Sequence, residues 1–188
     1  MLMRVRREIG IAFTAPMIRA ILEGRKTETR RLASDSGPLS KAESGDLLWA
    51  REAFTVIDWD EPGRKATISY PAEDRSGNGV VVAWPERLTM GKIGTKLPRF
   101  MPREASRASL LLLERRREPL EAIDDDAAMA EGIDLSNPLQ HEQRPGGGWV
   151  PGALSNRYLD LWEHINAPRG HGRATKPLVD VFRFSRAA

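Results

Sequence analysis

The densest cluster of residues able to do chemistry is GRKTETRR, residues 24–31. Lys26 stands three residues before Thr29, and Arg25, Arg30 and Arg31 crowd the same stretch with positive charge. An amine takes a proton from a hydroxyl only when desolvation or neighbouring cations favour its neutral form. The three arginines supply the second of these, so the segment suits a hydroxyl nucleophile at Thr29 activated by Lys26. A solvated basic turn, with the threonines present for their strand propensity, accounts for the same residues without chemistry.

Two further segments complement it. In IDDDAAMAEGI, residues 123–133, Asp124 reads as the N-cap of a short helix and Gly132 as its stop. Glu131 then falls at the negative end of the helix dipole, where a carboxylate is disfavoured and suited to exchanging a proton. A surface glutamate explains that position equally, and Glu28, Glu52 and Glu73 are competing acids. In LPRFMPREASRASL, residues 97–110, Arg99, Arg103 and Arg107 recur every four residues around Phe100 and Met101, which sets phosphate-binding charge beside groups that can support a base. Arg51 joins this set of nucleic-acid-binding candidates with Arg25, Arg30 and Arg31. Trp49, Trp84 and Trp149 are possible stacking platforms, whereas Trp162 sits at helical spacing and reads as core.

Composition narrows the chemistry. The chain has 188 residues with no cysteine, which excludes disulfide scaffolds, thiolate metal sites and cysteine nucleophiles. It contains no P-loop, dinucleotide fingerprint or HExxH motif. His141, His164 and His171 have no ligand-like spacing, so no metal or cofactor is expected. The net charge is only +3, yet 23 of the 29 cationic residues are arginine, a fork-shaped group suited to phosphates and bases. A GC-rich genome produces the same bias. No apolar run approaches the roughly 20 residues needed to cross a bilayer, and the start lacks a signal-peptide pattern; a cytoplasmic protein without membrane contact is the expectation.

The elements that must position these residues follow from periodicity. IGIAFT (9–14) reads as a strand feeding a short helix through Thr14 and Pro16, with Gly24 as the stop. GDLLWAREAFTVI (45–57), ATISYPA (66–72), GVVVAW (79–84), RASLLLLERRRE (107–118) and PLVDVFRF (177–184) read as strands, the LLLL run suggesting burial on both faces. Residues 24–31 alternate in a strand-like or extended manner. The irregular stretch after Trp84 is a long excursion. Ser155 reads as the cap of a helix whose buried face is Tyr158, Leu161, Trp162 and Ile165. Without regular strand and helix alternation, the fold class expected is α+β: a small, mostly antiparallel β-barrel with flanking short helices. One domain is expected, with insertions near 58–97 and 134–154.

Taken in order, ILEGRKTETRR, GDLLWARE, FMPREASRASL, EAIDDDAAMAEGI and LWEHIN, followed by a terminal strand, resemble ASCH-domain proteins of the longer type found in phages and prophages. The resemblance spans most of the chain. It implies a PUA-like barrel that binds RNA or modified nucleosides in a cleft. Some small relatives in that family hydrolyse an acetyl amide on cytidine derivatives with a Lys, a Thr three residues later and a distant Glu. Lys26 and Thr29 match the first two in type and spacing, and Glu131 matches the third by its place in the short helix. Ribonuclease activity on single strands also occurs in the family. Hydrolysis of N-acyl pyrimidines such as N4-acetylcytidine is thus the leading expectation. Cleavage of single-stranded RNA, with a divalent ion under that reading alone, and non-catalytic RNA binding are the alternatives.

Overall fold

The computed structural model describes residues 7–71, 79–89, 91–133, 146–148 and 150–187. Along the chain these form β1 (Glu8–Ala12), α1 (Ala15–Leu22), β2 (Glu28–Leu32), β3 (Leu47–Arg51), β4 (Phe54–Asp60), β5 (Lys65–Ser69), β6 (Val80–Ala83), β7 (Gly94–Lys96), β8 (Ser109–Pro119), α2 (Asp125–Ala130), α3 (Ala153–Asn166) and β9 (Leu178–Arg186). The fold class is α+β, as the patterning predicts. Short 3-10 turns fill several of the connections. The chain packs as two compact units: Met1–Leu22, Asp46–Leu111 and Arg186–Ala188 form the first, and Glu23–Gly45 with Leu112–Ser185 form the second.

In the first unit β1 runs parallel to β3, and β3 pairs antiparallel with the start of β8, from Leu47 opposite Leu111 to Trp49 opposite Ser109. The remaining strands form an antiparallel sheet in the order β6, β5, β4, β7, with a register shift between Val56 and Asp58. Alternation explains its buried face. Phe54 and Val56, Ala66, Ile68 and Tyr70, and Val82 and Trp84 recur at every second position, and all are buried with Met101 and Ala105. Each large apolar side chain so buried contributes about 1.5–3 kcal/mol. α1 buries Ile18, Ala20 and Ile21.

In the second unit β9 lies between β8 and β2, and β2 pairs antiparallel with β9 from Glu28 opposite Arg183 to Leu32 opposite Val179. Val179 and Val181 face Leu154, Tyr158, Leu159 and Trp162 of α3 in one apolar cluster with Leu120, Ile123 and Ala128. As the sequence predicts, Asp124 caps α2 by accepting from the Ala127 amide at 2.8 Å.

Several expectations are corrected. Segment 45–57 is two strands, because β3 joins β1 and β8 while β4 pairs with β5 and β7. In the LLLL run Leu110 and Leu112 are fully buried but Leu113 is 38% exposed, so this strand alternates rather than being covered on both faces. The excursion after Trp84 contains β7, three residues long and too short for periodicity to reveal. α3 has Gly152 at its N-cap, with a φ of 82° that glycine adopts without strain. Ser155 lies inside the first turn. Its amide and that of Gly152 donate to the Asp125 carboxylate at 2.9 and 2.7 Å, so a residue of α2 caps α3. Burial works against that carboxylate's charge, yet the Ser155 and Gly152 amides outweigh it and hold Asp125 below the usual range. On α3 Leu161 is 39% exposed and Leu159 takes its place in the core.

Candidate functional site

Within the second unit, the segment ahead of β2 is pinned at both sides. The Thr27 amide donates to Ala130 O at 2.8 Å, and the Phe184 amide donates to Thr27 O at 2.9 Å. Gly24, with φ of 76°, supplies the turn that brings the chain there. Lys26 is thereby aimed at the end of α2. Its Nζ donates to the main-chain oxygen of Glu131 at 2.8 Å and to Glu131 Oε2 at 2.5 Å. The ammonium therefore meets both a carboxylate and the negative end of the helix. The two side chains are 0% and 2% exposed, so the pair is closed to bulk solvent.

The other carboxylate oxygen is also engaged. Glu131 Oε1 accepts the Arg30 amide at 2.6 Å and Arg30 Nη1 at 3.4 Å. Arg30 Nη2 donates to Glu118 at 3.0 Å. Arg116 extends the chain of charges, forking onto Glu28 at 3.0 and 3.1 Å and donating from Nε to Glu118 at 3.0 Å. Tyr158 closes the other side, buried near the Glu131 charge, and the Arg30 guanidinium lies 5.9 Å from its ring centroid. Burial, with the Glu131 charge, pushes the Tyr158 phenol well up, so it stays a donor. Burial pushes the Lys26 ammonium below its ordinary value; Glu131 pulls it back up, while Arg31 and Arg30 add a smaller push down. Arg31 is itself lowered, chiefly by burial. Desolvation thus leads where the sequence pointed to cations.

Thr29 is buried in β2 opposite Phe182. It is next to Arg30, and the period of two sends adjacent strand side chains to opposite faces. The structure joins Lys26 and Glu131 across 105 positions; the Thr29 hydroxyl is not among the hydrogen-bond partners of either.

The seven arginine candidates fall into different settings. In the second unit, Arg25 pairs with Glu23 at the surface, Arg30 belongs to the buried network, and Arg31 is half-buried. In the first unit, Arg103 donates to Glu8 and Ser109, and Arg107 forks onto Glu52 at 2.9 Å through two nitrogens while lying 4.2 Å from the Tyr70 ring centroid. Arg51 lies over Trp49 at 4.5 Å and Arg99 over Phe100 at 4.8 Å. Of the tryptophans, Trp84 and Trp162 are buried, while Trp149, like Glu73 and His141, falls outside the described residues.

Sequence reasoning missed Tyr158 as a neighbour of Glu131, because its helical spacing marks only a core position. It also missed Asp180, which accepts from Arg115 at 3.0 Å, from Arg117 at 2.9 and 3.1 Å, and from the Ser34 amide at 3.4 Å. The run ERRRE, 114–118, three consecutive arginines flanked by acids on a strand, was the available signal. These arginines line an open cavity of about 490 Å³. Among the described residues no group of three or more His, Asp or Glu is arranged to hold a metal ion, and no helix is long and apolar enough to cross a membrane.

No family model and no curated protein matches the sequence. Among solved structures, the chain is similar to an ASCH domain from Lactobacillus crispatus JV V101, at 10% identity and a TM-score of 0.46, over 96% of this chain and 79% of that one. It is also similar to a protein from Enterococcus faecalis V583 of the family DUF984, at 10% identity and a TM-score of 0.47, over 98% of this chain and 78% of that one.

Proposed function

We propose that this chain is an ASCH-type protein that binds single-stranded RNA or a modified nucleoside and hydrolyses an N-acyl amide on a pyrimidine. The observation that carries the hydrolytic reading is the direct contact of Lys26 Nζ with Glu131 Oε2 in a site closed to bulk water. A desolvated ammonium beside a carboxylate can pass its proton across that hydrogen bond, which creates an amine base and a carboxylic acid together. Neutral Lys26 takes the Thr29 proton as the hydroxyl oxygen attacks the acyl carbon, a step that requires substrate binding to bring the hydroxyl within reach of Nζ, which otherwise bonds to Glu131. Glu131 gives its proton to the exocyclic nitrogen as the C–N bond breaks, leaving an acyl ester on Thr29 that water hydrolyses. The buried Arg30 and half-buried Arg31 side chains supply positive charge for the oxyanion.

Turnover of N4-acetylcytidine tests this reading. Wild type and Thr29→Ser are expected to release cytidine, while Thr29→Val, Lys26→Met and Glu131→Gln lose it by about 10²-fold or more. Undiminished turnover in Thr29→Val removes the nucleophile, and no turnover by folded wild type removes the reaction.

The closure of the same pair favours a second reading, in which Lys26 staples α2 to the segment ahead of β2 and the protein binds RNA without chemistry. Salt-dependent binding of single-stranded RNA, with neither acetylcytidine turnover nor RNA cleavage, would select it. Cleavage of labelled RNA that EDTA abolishes would instead select a metal-dependent ribonuclease.

A further inference from the structure

The first unit holds a cavity that the proposed chemistry does not use. It occupies about 290 Å³ against the β6, β5, β4, β7 sheet, and its walls include Phe54, Trp59, Trp84, Leu88 and Phe100. Trp59 meets Trp84 edge to face at 4.9 Å and 85°, and Phe54 is tilted to Trp84 at 6.4 Å. Trp59 Nε1 has an acceptor, Gly91 O at 2.7 Å. Trp84 does not. Its Nε1 is buried with no hydrogen-bond partner among the described residues, although Trp84 itself is only 8% exposed. A buried donor without an acceptor is rare enough to require a reason.

The charges at this cavity have one sign. Lys96 is the sole charged residue among the described lining. Phe100, 55% exposed, carries the Arg99 guanidinium over its ring at 4.8 Å. Three demands therefore coincide: flat apolar faces to cover the rings, an acceptor for an indole N–H, and an anion for the cations. An apolar peptide side chain meets only the first, and a free phosphate only the last. A planar heteroaromatic ring bearing a phosphate meets all three, and the volume, roughly that of ten waters, admits one base.

We infer that this cavity is a nucleotide-binding site, in which the base lies among Trp59, Trp84 and Phe100, Trp84 Nε1 donates to a base acceptor, and Lys96 and Arg99 face the phosphate. It is built within the first unit and does not rest on the reaction assigned to Lys26, Thr29 and Glu131. Loss of either leaves the other standing.

The test is titration of the ¹⁵N-labelled chain with each of the four common ribonucleoside 5′-monophosphates, the matching nucleosides and inorganic phosphate, following the indole N–H signals. The expected result is saturable binding of at least one nucleotide, with a downfield shift of the indole signal that Trp84→Phe removes. Trp84→Phe should weaken binding by about tenfold, the worth of one hydrogen bond. Phe100→Ala, at an exposed ring that the fold does not need, should weaken it by tenfold or more through lost stacking. Lys96→Gln should weaken nucleotide but not nucleoside. The proposal is overturned if no nucleotide saturates at millimolar concentration, if Trp84→Phe and Phe100→Ala both bind as wild type does, or if inorganic phosphate alone reproduces the full shift.

Discussion

The two units bury charge in different ways. In the first, Glu52 pairs with Arg107 and Asp46 with Arg7, two pairs that have no residue in common. Its sheet core is otherwise apolar and aromatic. In the second, buried charges form a chain in which partners are shared. Glu131 holds Lys26 and Arg30, Arg30 reaches Glu118 and Glu28, and Arg116 returns to both of those acids. A shared network makes each member's position depend on several others. That difference suits the second unit for holding reactive groups and the first for enclosing a ligand by shape.

The sharpest way to break this contrast is Glu131→Ala, which strands Lys26 and Arg30 in the interior. It should cost about 3–5 kcal/mol in denaturant unfolding, and the double change Lys26→Met, Glu131→Leu should recover most of the loss. If the single change costs under 1 kcal/mol, the network is not cooperative.

Asp180→Asn comes next, at about 2–3 kcal/mol, because two arginines share that carboxylate. Burial works to raise Asp180, but the Arg117 and Arg115 hydrogen bonds prevail and hold it below its ordinary 3.8. The folded form therefore binds its proton less readily than the unfolded chain. The stabilisation is complete above the unfolded value and is lost as pH falls through the depressed folded one. Thermal melts of Asp180→Asn should accordingly show a flatter acid limb below pH 3.8 than wild type; an unchanged limb would assign that sensitivity elsewhere.

In the first unit Glu52→Gln, which keeps the shape but removes the charge facing Arg107, should cost about 1–2 kcal/mol by the same measurement. A loss as large as that at Glu131 would erase the distinction between pair and network. The smallest effect belongs to Arg87→Ala, whose pairing with Glu104 is largely exposed at 64% and 38%. It should change stability by less than about 0.5 kcal/mol, and this residue should vanish into the noise of a salt titration.

How much of this was legible beforehand differs by feature. A strand such as β5 announces itself because alternate residues meet one apolar face, β6 does so only as a run of β-branched valines, and Asp124 and Gly132 mark the ends around α2 through local chemistry. Lys26 and Glu131 were paired beforehand only through motif resemblance, since nothing local links positions 105 apart. The arginines were legible as charge but not as partners. Arg107 finds Glu52 55 residues away, and Arg116 finds Glu28 88 away. Tyr158 was visible only as an apolar repeat because spacing reports burial and says nothing of what the hydroxyl meets. Trp84, Phe100 and Arg99 were legible as stacking and phosphate-binding types, but the cavity that gathers them was not, because it arises from separate segments converging on one sheet.

The Asp125 carboxylate reaches forward 27 and 30 residues to the amides that begin α3. It works as a clasp that holds the start of one helix against the start of the other. Leaving those two amides unmet would cost roughly 1–3 kcal/mol. The two helices are thus seated together by one side chain, and the buried pair that follows α2 inherits its footing from it.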